Sequence, residues 1–303
     1  MKPSRVAGLV LLILIIAGLA YAYYPPFRLL TWIAAGRNSV CPISEALKAR
    51  ENLDQQIAYK DEILNASKLV KQEPGFELWD TPKGQFWVPA GSRYVLPFNL
   101  AEQKRKIYGT GDFGPRAGDI TLDCGANVGV TVHEELAAGA KTVVAIEPAP
   151  ENLECLRRNY QKEIASGQVI IVPKGVWDKE DVLTLRVDPR NSAADTFVLQ
   201  REGAVEVEKI PLTTIDKLVA DLKLNRIDYI KMDIEGAEPK ALMGAKATLA
   251  KYKPRLSIAT EHPPDDPKVI PEIIRSARQD YQMACGPCAE TEHSIRPDVL
   301  YFK

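Results

Sequence analysis

Three groups of residues in this chain have the types and spacing of a ligand site. The first is Asp123-Cys-Gly-Ala-Asn-Val-Gly129, which follows a short apolar run, Ile120 to Leu122, and precedes a helix-compatible stretch from Val130. A strand, a glycine turn and a helix in that order bring backbone N–H groups to a ligand at a helix N-terminus. Gly125 and Gly129 suit such a turn because a Cβ at either position would obstruct the approach. The second group is Glu147-Pro148, closing the continuous apolar run Thr142 to Ile146. An acid at the end of a second strand, on the order of 20 residues past the glycine turn, accepts hydrogen bonds from both ribose hydroxyls. A solvated loop carboxylate is the alternative for Glu147. The third group is Asp228-Tyr-Ile-Lys-Met-Asp-Ile-Glu-Gly-Ala-Glu238. Strand alternation turns Ile230 and Met232 to one side, Lys231 and Asp233 to the other, and sets Asp233 at the crevice beyond the strand end. Glu235 and Glu238 can orient an acceptor hydroxyl there. Glu238 also suits a helix N-terminus, and Lys231 an ion pair with Asp233. His262, just past the apolar run Leu256 to Ala259, is one of three histidines and a candidate general base. A solvated loop histidine is its alternative.

Asp123 to Gly129, then Glu147-Pro-Ala-Pro-Glu-Asn152, then Ile230 to Glu238 agree in order and spacing with a known pattern. Together they resemble the FkbM family of class I S-adenosylmethionine-dependent methyltransferases. The resemblance runs from about Glu102 to the C-terminus and leaves the first hundred residues uncovered. It implies a Rossmann-like, doubly wound, seven-stranded α/β sheet ending in an antiparallel C-terminal hairpin. It also implies S-adenosylmethionine as donor, held by Asp123, Gly125, Asn127, Gly129 and Glu147, with Trp177 and Asp178 beside the adenine. Core packing is the alternative for Trp177. Asp233, Glu235 and His262 would handle the acceptor, a hydroxyl of a small molecule or glycan such as a sugar, glycolipid or secondary metabolite. Tyr108 falls in a region that covers the cofactor in related methyltransferases. The rival readings are a membrane-tethered, non-catalytic scaffold and a nicotinamide oxidoreductase. The latter would more typically carry G-x-G-x-x-G, whereas Asp123 stands at the first glycine position.

The elements that must position these residues alternate as a doubly wound fold requires. The chain has 303 residues, 46% hydrophobic, and a formal net charge of −1, which suits one α/β domain with appendages and gives no support for a nucleic-acid partner. Strands are expected at 120–122, 143–146, 169–172, 228–233 and 256–259, with helices near 131–138, 151–166, 213–224, after Gly236 to about Leu249, and 272–278. Runs 182–187 and 205–210 read as an extra strand pair joined by a polar loop, Pro189 to Thr196, at the edge of the acceptor pocket. Runs 281–284 and 299–302 read as the closing hairpin. Ahead of this domain (101–303), residues 26–100 read as a helical stalk or cap over 44–71 and a hairpin of 76–79 with 85–88 around Pro82-Lys-Gly84; a helix over 102–108 then leads into the core.

Residues 1–25 hold the apolar run Val6 to Ala22 behind Lys2 and Arg5. It is long enough to cross a bilayer and is expected to be a single-pass membrane anchor; Ala20-Tyr-Ala22 also fits a cleaved signal peptide. The positive flank favours a domain outside the cytoplasm, whereas the donor is a cytosolic metabolite. With the donor weighted higher, the expectation is a cytoplasmic catalytic domain, held by an interfacial element over Phe27 to Ala35. Five cysteines are an odd count. Cys124 and Cys155 read as small buried hydrophobes. Cys285-Gly-Pro-Cys288 lies between two expected antiparallel strands, which suits a turn better than a thiol oxidoreductase. A zinc set of Cys285, Cys288 and His293 lacks a fourth ligand, so no metal site is expected.

Overall fold

Seven apolar runs build the central sheet of the computed structural model, which describes residues 3–188, 191–200 and 203–303; Lys2 and Pro189 fall outside them. The strands are β1 (Ile120–Cys124), β2 (Thr142–Ile146), β3 (Val169–Val172), β4 (Tyr229–Met232), β5 (Arg255–Ala259), β6 (Met283–Cys285) and β7 (Val299–Phe302). Their order is β6-β7-β5-β4-β1-β2-β3. Pairings from β5 through β4 and β1 to β3 are parallel, while β7 runs antiparallel to β5 and β6. The doubly wound sheet with its antiparallel C-terminal pair is as the sequence implies. Every residue of β1, β4 and β7 is buried, the consequence of helices on both faces. The chain winds outward from β1 through β2 and β3, then crosses back to β4. The crevice outside the carboxyl ends of β1 and β4 is therefore the switch point at which such sheets bind ligands.

Two expected helices are each broken in two. The stretch 151–166 forms Pro150–Asn159 and Gln161–Ala165, joined at Tyr160, whose hydroxyl donates to the Gly129 carbonyl. The stretch after Gly236 forms Glu238–Met243 and Lys246–Tyr252. Between them Gly244 packs so close to the Trp177 carbonyl that a side chain would collide with it. The extra strands expected at 182–187 and 205–210 form as Asp181–Val187 and Val205–Thr213, and they pair antiparallel.

The helix expected over 44–71 stops at Ala66. Ile43–Ala46 and Ala49–Ala66 are helical, but Lys68–Glu73 is the first strand of a three-stranded antiparallel sheet with Phe76–Thr81 and Gly84–Pro89. Pro74-Gly75 makes the turn, with Gly75 at φ 82°, the left-handed geometry that glycine adopts without strain. The helix expected at 102–108 runs Val95–Arg105 instead, burying Leu96, Leu100 and Ala101, and ends at Lys106 in the left-handed region. Ala49–Ala66 caps the domain: Asn52 Nδ2 donates to the Cys288 carbonyl at 2.8 Å and Gln56 Nε2 to that of Phe98 at 3.0 Å.

Within the helix Pro3–Tyr23, residues Val6–Tyr23 have a mean hydropathy of 2.5 and none is buried. This is one helix long and apolar enough to cross a membrane, spanning about 27 Å at 1.5 Å per residue. The next helix, Pro25–Ala34, turns back onto the body and buries Leu29 and Trp32 against Cys41, Ala46, Cys288 and Ile295. Arg28 forks onto Glu290, Nε to Oε1 at 2.6 Å and the second nitrogen to Oε2 at 2.9 Å. A disulfide joins Cys41 to Cys288 across 247 residues of sequence. Cys285 is a free, half-buried thiol. Cys288 is thus committed to a partner outside the Cys-Gly-Pro-Cys turn, which removes both the thiol-oxidoreductase reading and the zinc set.

Candidate active site

A cavity of about 670 Å³ opens at the carboxyl ends of β1, β2, β4 and β5, within the roughly 300–1,000 Å³ typical of small-molecule sites. Its floor is the turn after β1. Gly125 has φ 79°, and a Cβ there would run into the Asp233 carbonyl oxygen at the exit of β4. Gly129 has φ 97° and packs against the Tyr160 ring. The two glycines are thus required by neighbouring protein rather than by approach of a ligand. Asn127 takes a left-handed conformation, φ 50°, that asparagine tolerates better than most residues. That turn points its N–H at Glu147 Oε2, 2.8 Å away.

Glu147, immediately after β2, is almost wholly buried. Its Oε1 accepts from Ala149 N–H at 2.9 Å and Asn152 Nδ2 at 3.3 Å. Burial pushes this carboxyl up, and the three hydrogen bonds oppose the shift. Asn127 Oδ1 and Asn152 Oδ1 beside it are buried acceptors with no hydrogen-bond partner among the described residues. A loop roofs this end: Asn127 Nδ2 and Asn152 Nδ2 both donate to the Ser192 carbonyl, at 2.8 and 2.9 Å. Farther along the loop, Thr196 Oγ1 donates to the Glu235 carbonyl at 2.8 Å. The loop expected to edge the acceptor pocket therefore spans both ends of the cavity.

Asp123 sits beneath the cavity, fully buried, with Lys231 Nζ 3.2 Å from its Oδ1. Lys231 also donates to the Gly125 carbonyl at 2.8 Å. Burial alone would lower the Lys231 ammonium, but Asp123 and Asp233 hold it above its usual range. The lysine thus pairs with Asp123, not with Asp233 as the sequence suggested.

Opposite Glu147 lies the second centre. Asp233 Oδ2 accepts from the Tyr108 hydroxyl at 2.7 Å. Burial and the Asp233 charge raise the phenol, which keeps it a donor. Glu235 is left-handed at φ 56°, which opens the turn toward Gly236. His262, beyond the end of β5, brings its Nε2 to 3.3 Å from Glu235 Oε2 and 3.6 Å from Asp233 Oδ1. Its Nδ1 lies 3.1 Å from Glu238 Oε1, which also accepts from Ile234 N–H at 2.8 Å. Burial would lower the imidazole, but Glu235 and Glu238 outweigh it and hold the ring well above its ordinary range.

The cavity thus brings together Gly125, Asn127, Glu147, Asp233, Glu235, His262 and Tyr108, with Asp123 below and Gly129 at the helix start. Trp177 and Asp178 are not brought to it. Val176 lines the cavity but these next two residues do not; Trp177 N–H donates to the Thr213 carbonyl and the Asp178 carboxylate pairs with Lys240 at 2.8 Å. Sequence reasoning missed Glu102, Asp195 and Glu261, which also line the cavity. Glu261 adjoins His262 and was within reach of the strand-end argument. Glu102 and Asp195 stand in no motif.

Residues 123–283, just over half of the chain, match the family model described as the Methyltransferase FkbM domain. No curated protein matches. Among solved structures the chain is similar to Methyltransferase FkbM from Methylobacillus flagellatus KT, with 18% identity and a TM-score of 0.49 over 86% of this chain and 62% of that one. This chain therefore spans less than two thirds of that protein's length. It is also similar to precorrin-6y C5,15-methyltransferase from Geobacter metallireducens GS-15, with 12% identity and a TM-score of 0.37 over 68% of this chain and 85% of that one.

Proposed function

We propose that this chain, which belongs to the FkbM methyltransferase family, transfers a methyl group from S-adenosylmethionine to a hydroxyl oxygen of a sugar, glycolipid or secondary-metabolite acceptor. The observation that carries the reading is the pairing of two unlike centres across one cavity: Glu147 at one end, and Asp233, Glu235 and His262 at the other. The donor end fits its ligand. Glu147 is buried at the end of β2, and two buried amide oxygens with no partner among the described residues, Asn127 Oδ1 and Asn152 Oδ1, can accept from donors such as ribose hydroxyls. When bound, the donor supplies a methyl carbon whose bond to sulfur breaks, the electron pair leaving with sulfur, as the acceptor oxygen attacks.

The chain's own work is alignment and charge. Glu147 and the Asn127 turn fix the donor, and the roof over Asn127 and Asn152 excludes water. The Asp233, Glu235 and His262 group holds the acceptor hydroxyl and takes its proton. Tyr108 fixes Asp233 by donating to it. The test incubates the full chain in detergent with methyl-labelled S-adenosylmethionine and a panel of hydroxyl acceptors. A base-stable methyl ether that disappears in Asp233→Ala supports the reading. Label transferred only to nitrogen or carbon would overturn the hydroxyl assignment.

The Cys41–Cys288 disulfide bears on the side of the membrane. Such bonds persist in oxidising compartments and are rare in the cytosol. Together with the Lys2 and Arg5 flank, it favours a single-pass anchor with the catalytic domain on the non-cytoplasmic face. We adopt this in place of the cytoplasmic expectation; the donor must then reach that compartment across the membrane.

A further inference from the structure

We propose that His262 is a standing imidazolium that positions Glu235 and Asp233, and that Asp233 takes the proton of the acceptor hydroxyl. The charge state follows from what meets the two ring nitrogens. Nδ1 lies 3.1 Å from Glu238 Oε1. That oxygen already accepts from Ile234 N–H at 2.8 Å, so it faces the ring as an acceptor and Nδ1 carries a proton. Nε2 lies 3.3 Å from Glu235 Oε2 and 3.6 Å from Asp233 Oδ1. A neutral ring protonated at Nδ1 would turn a bare lone pair toward these carboxylate oxygens. Only the imidazolium has a proton to offer at both ends.

The surroundings agree. Glu238 is fully buried behind the ring, while Asp233, Glu235 and His262 line the cavity. A buried carboxylate is costly without a positive partner, and the ring supplies one. The other ionisable groups near the ring are Glu261, next to it in the chain, Asp266, at the start of the helix Asp266–Ala277, and Arg296, which donates to the His262 carbonyl at 3.5 Å. Burial pushes the Asp266 carboxyl up to about 7, so the pairing rests on Glu235 and Glu238. Burial also opposes charge on the ring, and these two acids outweigh it.

This divides the work at the acceptor end. Glu235 already meets Nε2, so an acceptor oxygen reaches that nitrogen only by displacing the carboxylate, and an imidazolium has no lone pair for a proton. His262 and Glu238 are therefore positioning residues. Asp233 lines the cavity with Oδ2 held by the Tyr108 hydroxyl at 2.7 Å. The hydroxyl proton passes to the Asp233 carboxylate as the oxygen bonds to the methyl carbon, and the electron pair of the carbon–sulfur bond stays with sulfur. The role of Asp233 rests on the methyl-transfer reading; the charge state of His262 does not.

The test records the ring-nitrogen magnetic resonances of the full chain, ¹⁵N-labelled at histidine, in detergent. The His262 signals are identified by their loss in His262→Gln. An ordinary histidine, with a pKa of about 6.5, is largely neutral at about pH 8. We expect His262 to be protonated on both nitrogens there. Glu238→Gln keeps an acceptor at Nδ1 but removes the charge, and should lower the His262 titration midpoint by about one pH unit or more. Glu235→Gln should act the same way; Glu235 is only half-buried, so that variant keeps the test decisive should Glu238→Gln fold poorly. A bare ring nitrogen at about pH 8, or a midpoint unmoved in both variants, overturns the imidazolium. Methyl transfer then separates the roles. Asp233→Asn should lower kcat about 10²- to 10⁴-fold with donor affinity little changed. Wild-type kcat should fall as pH climbs through the His262 midpoint. A kcat that rises through it, or survives Asp233→Asn, overturns the inference alone. A doubly protonated His262 in a folded chain that binds no donor removes the methyltransferase reading alone.

Discussion

Replacing Gly125 with alanine would drive a methyl group into the Asp233 carbonyl oxygen and force an L-residue to φ 79°. Neither strain can relax without parting β1 from β4. The variant should lose about 3 kcal/mol or more of stability, measured by denaturant unfolding, before any effect on ligand is considered. Glu147→Ala acts differently. On the proposed reading it removes a buried acceptor for ribose hydroxyls, and hydrogen bonds to a charged group are worth about 1.5–3 kcal/mol, so donor affinity should fall about 10- to 100-fold. Asp195 carries a pH dependence. Burial first, then Glu147, pushes its carboxyl up to about 8. The unfolded value is about 3.9, so the folded chain holds this proton more tightly and stability falls as pH rises from about 4 to 8. Asp195→Asn should therefore raise the melting temperature by about 2 °C or more near pH 8.5 and change it little near pH 4. At this scale a residue's place at the cavity was legible from the strand ends, as at Glu147, Asp233 and His262. It was not legible at Asp195 and Glu102, which reach the cavity only because distant backbone folds over it.

Among the elements, the strands were the most readable because continuous apolar runs have one use in a sheet covered on both faces. Helix limits were less so. Lys68–Glu73 carries helix-compatible lysines and glutamates, and only its pairing with Phe76–Thr81 across Pro74-Gly75 makes it a strand. The break at Gly244 likewise depends on the Trp177 carbonyl, far away in sequence. The docking of Pro25–Ala34 has its own consequence. The disulfide behind it closes a very long loop, and losing such a bond costs about 2–4 kcal/mol. Cys41→Ser should lower the denaturant midpoint accordingly, and reduction of the wild-type chain should reproduce the loss. A midpoint unmoved by either change would mean the bond is not formed. No spacing rule identifies Cys41 as the partner of Cys288; the pairing follows from the Arg28–Glu290 fork and the buried Trp32 that dock this helix.

For the whole molecule, the arrangement is a methyltransferase-family sheet with a capping N-terminal region and one exposed apolar helix. If that helix anchors the chain with its body in an oxidising compartment, protease added to sealed microsomes should spare the body and cut it only after detergent. Cleavage without detergent would reverse the orientation. The central claim is the donor site, and the most direct measurement is calorimetric titration of S-adenosylmethionine into the full chain in detergent. The account predicts one molecule bound per chain, with affinity reduced at least 10-fold by Glu147→Ala. A folded chain that binds no donor, or a Glu147→Ala chain that binds it as tightly as wild type, would contradict it.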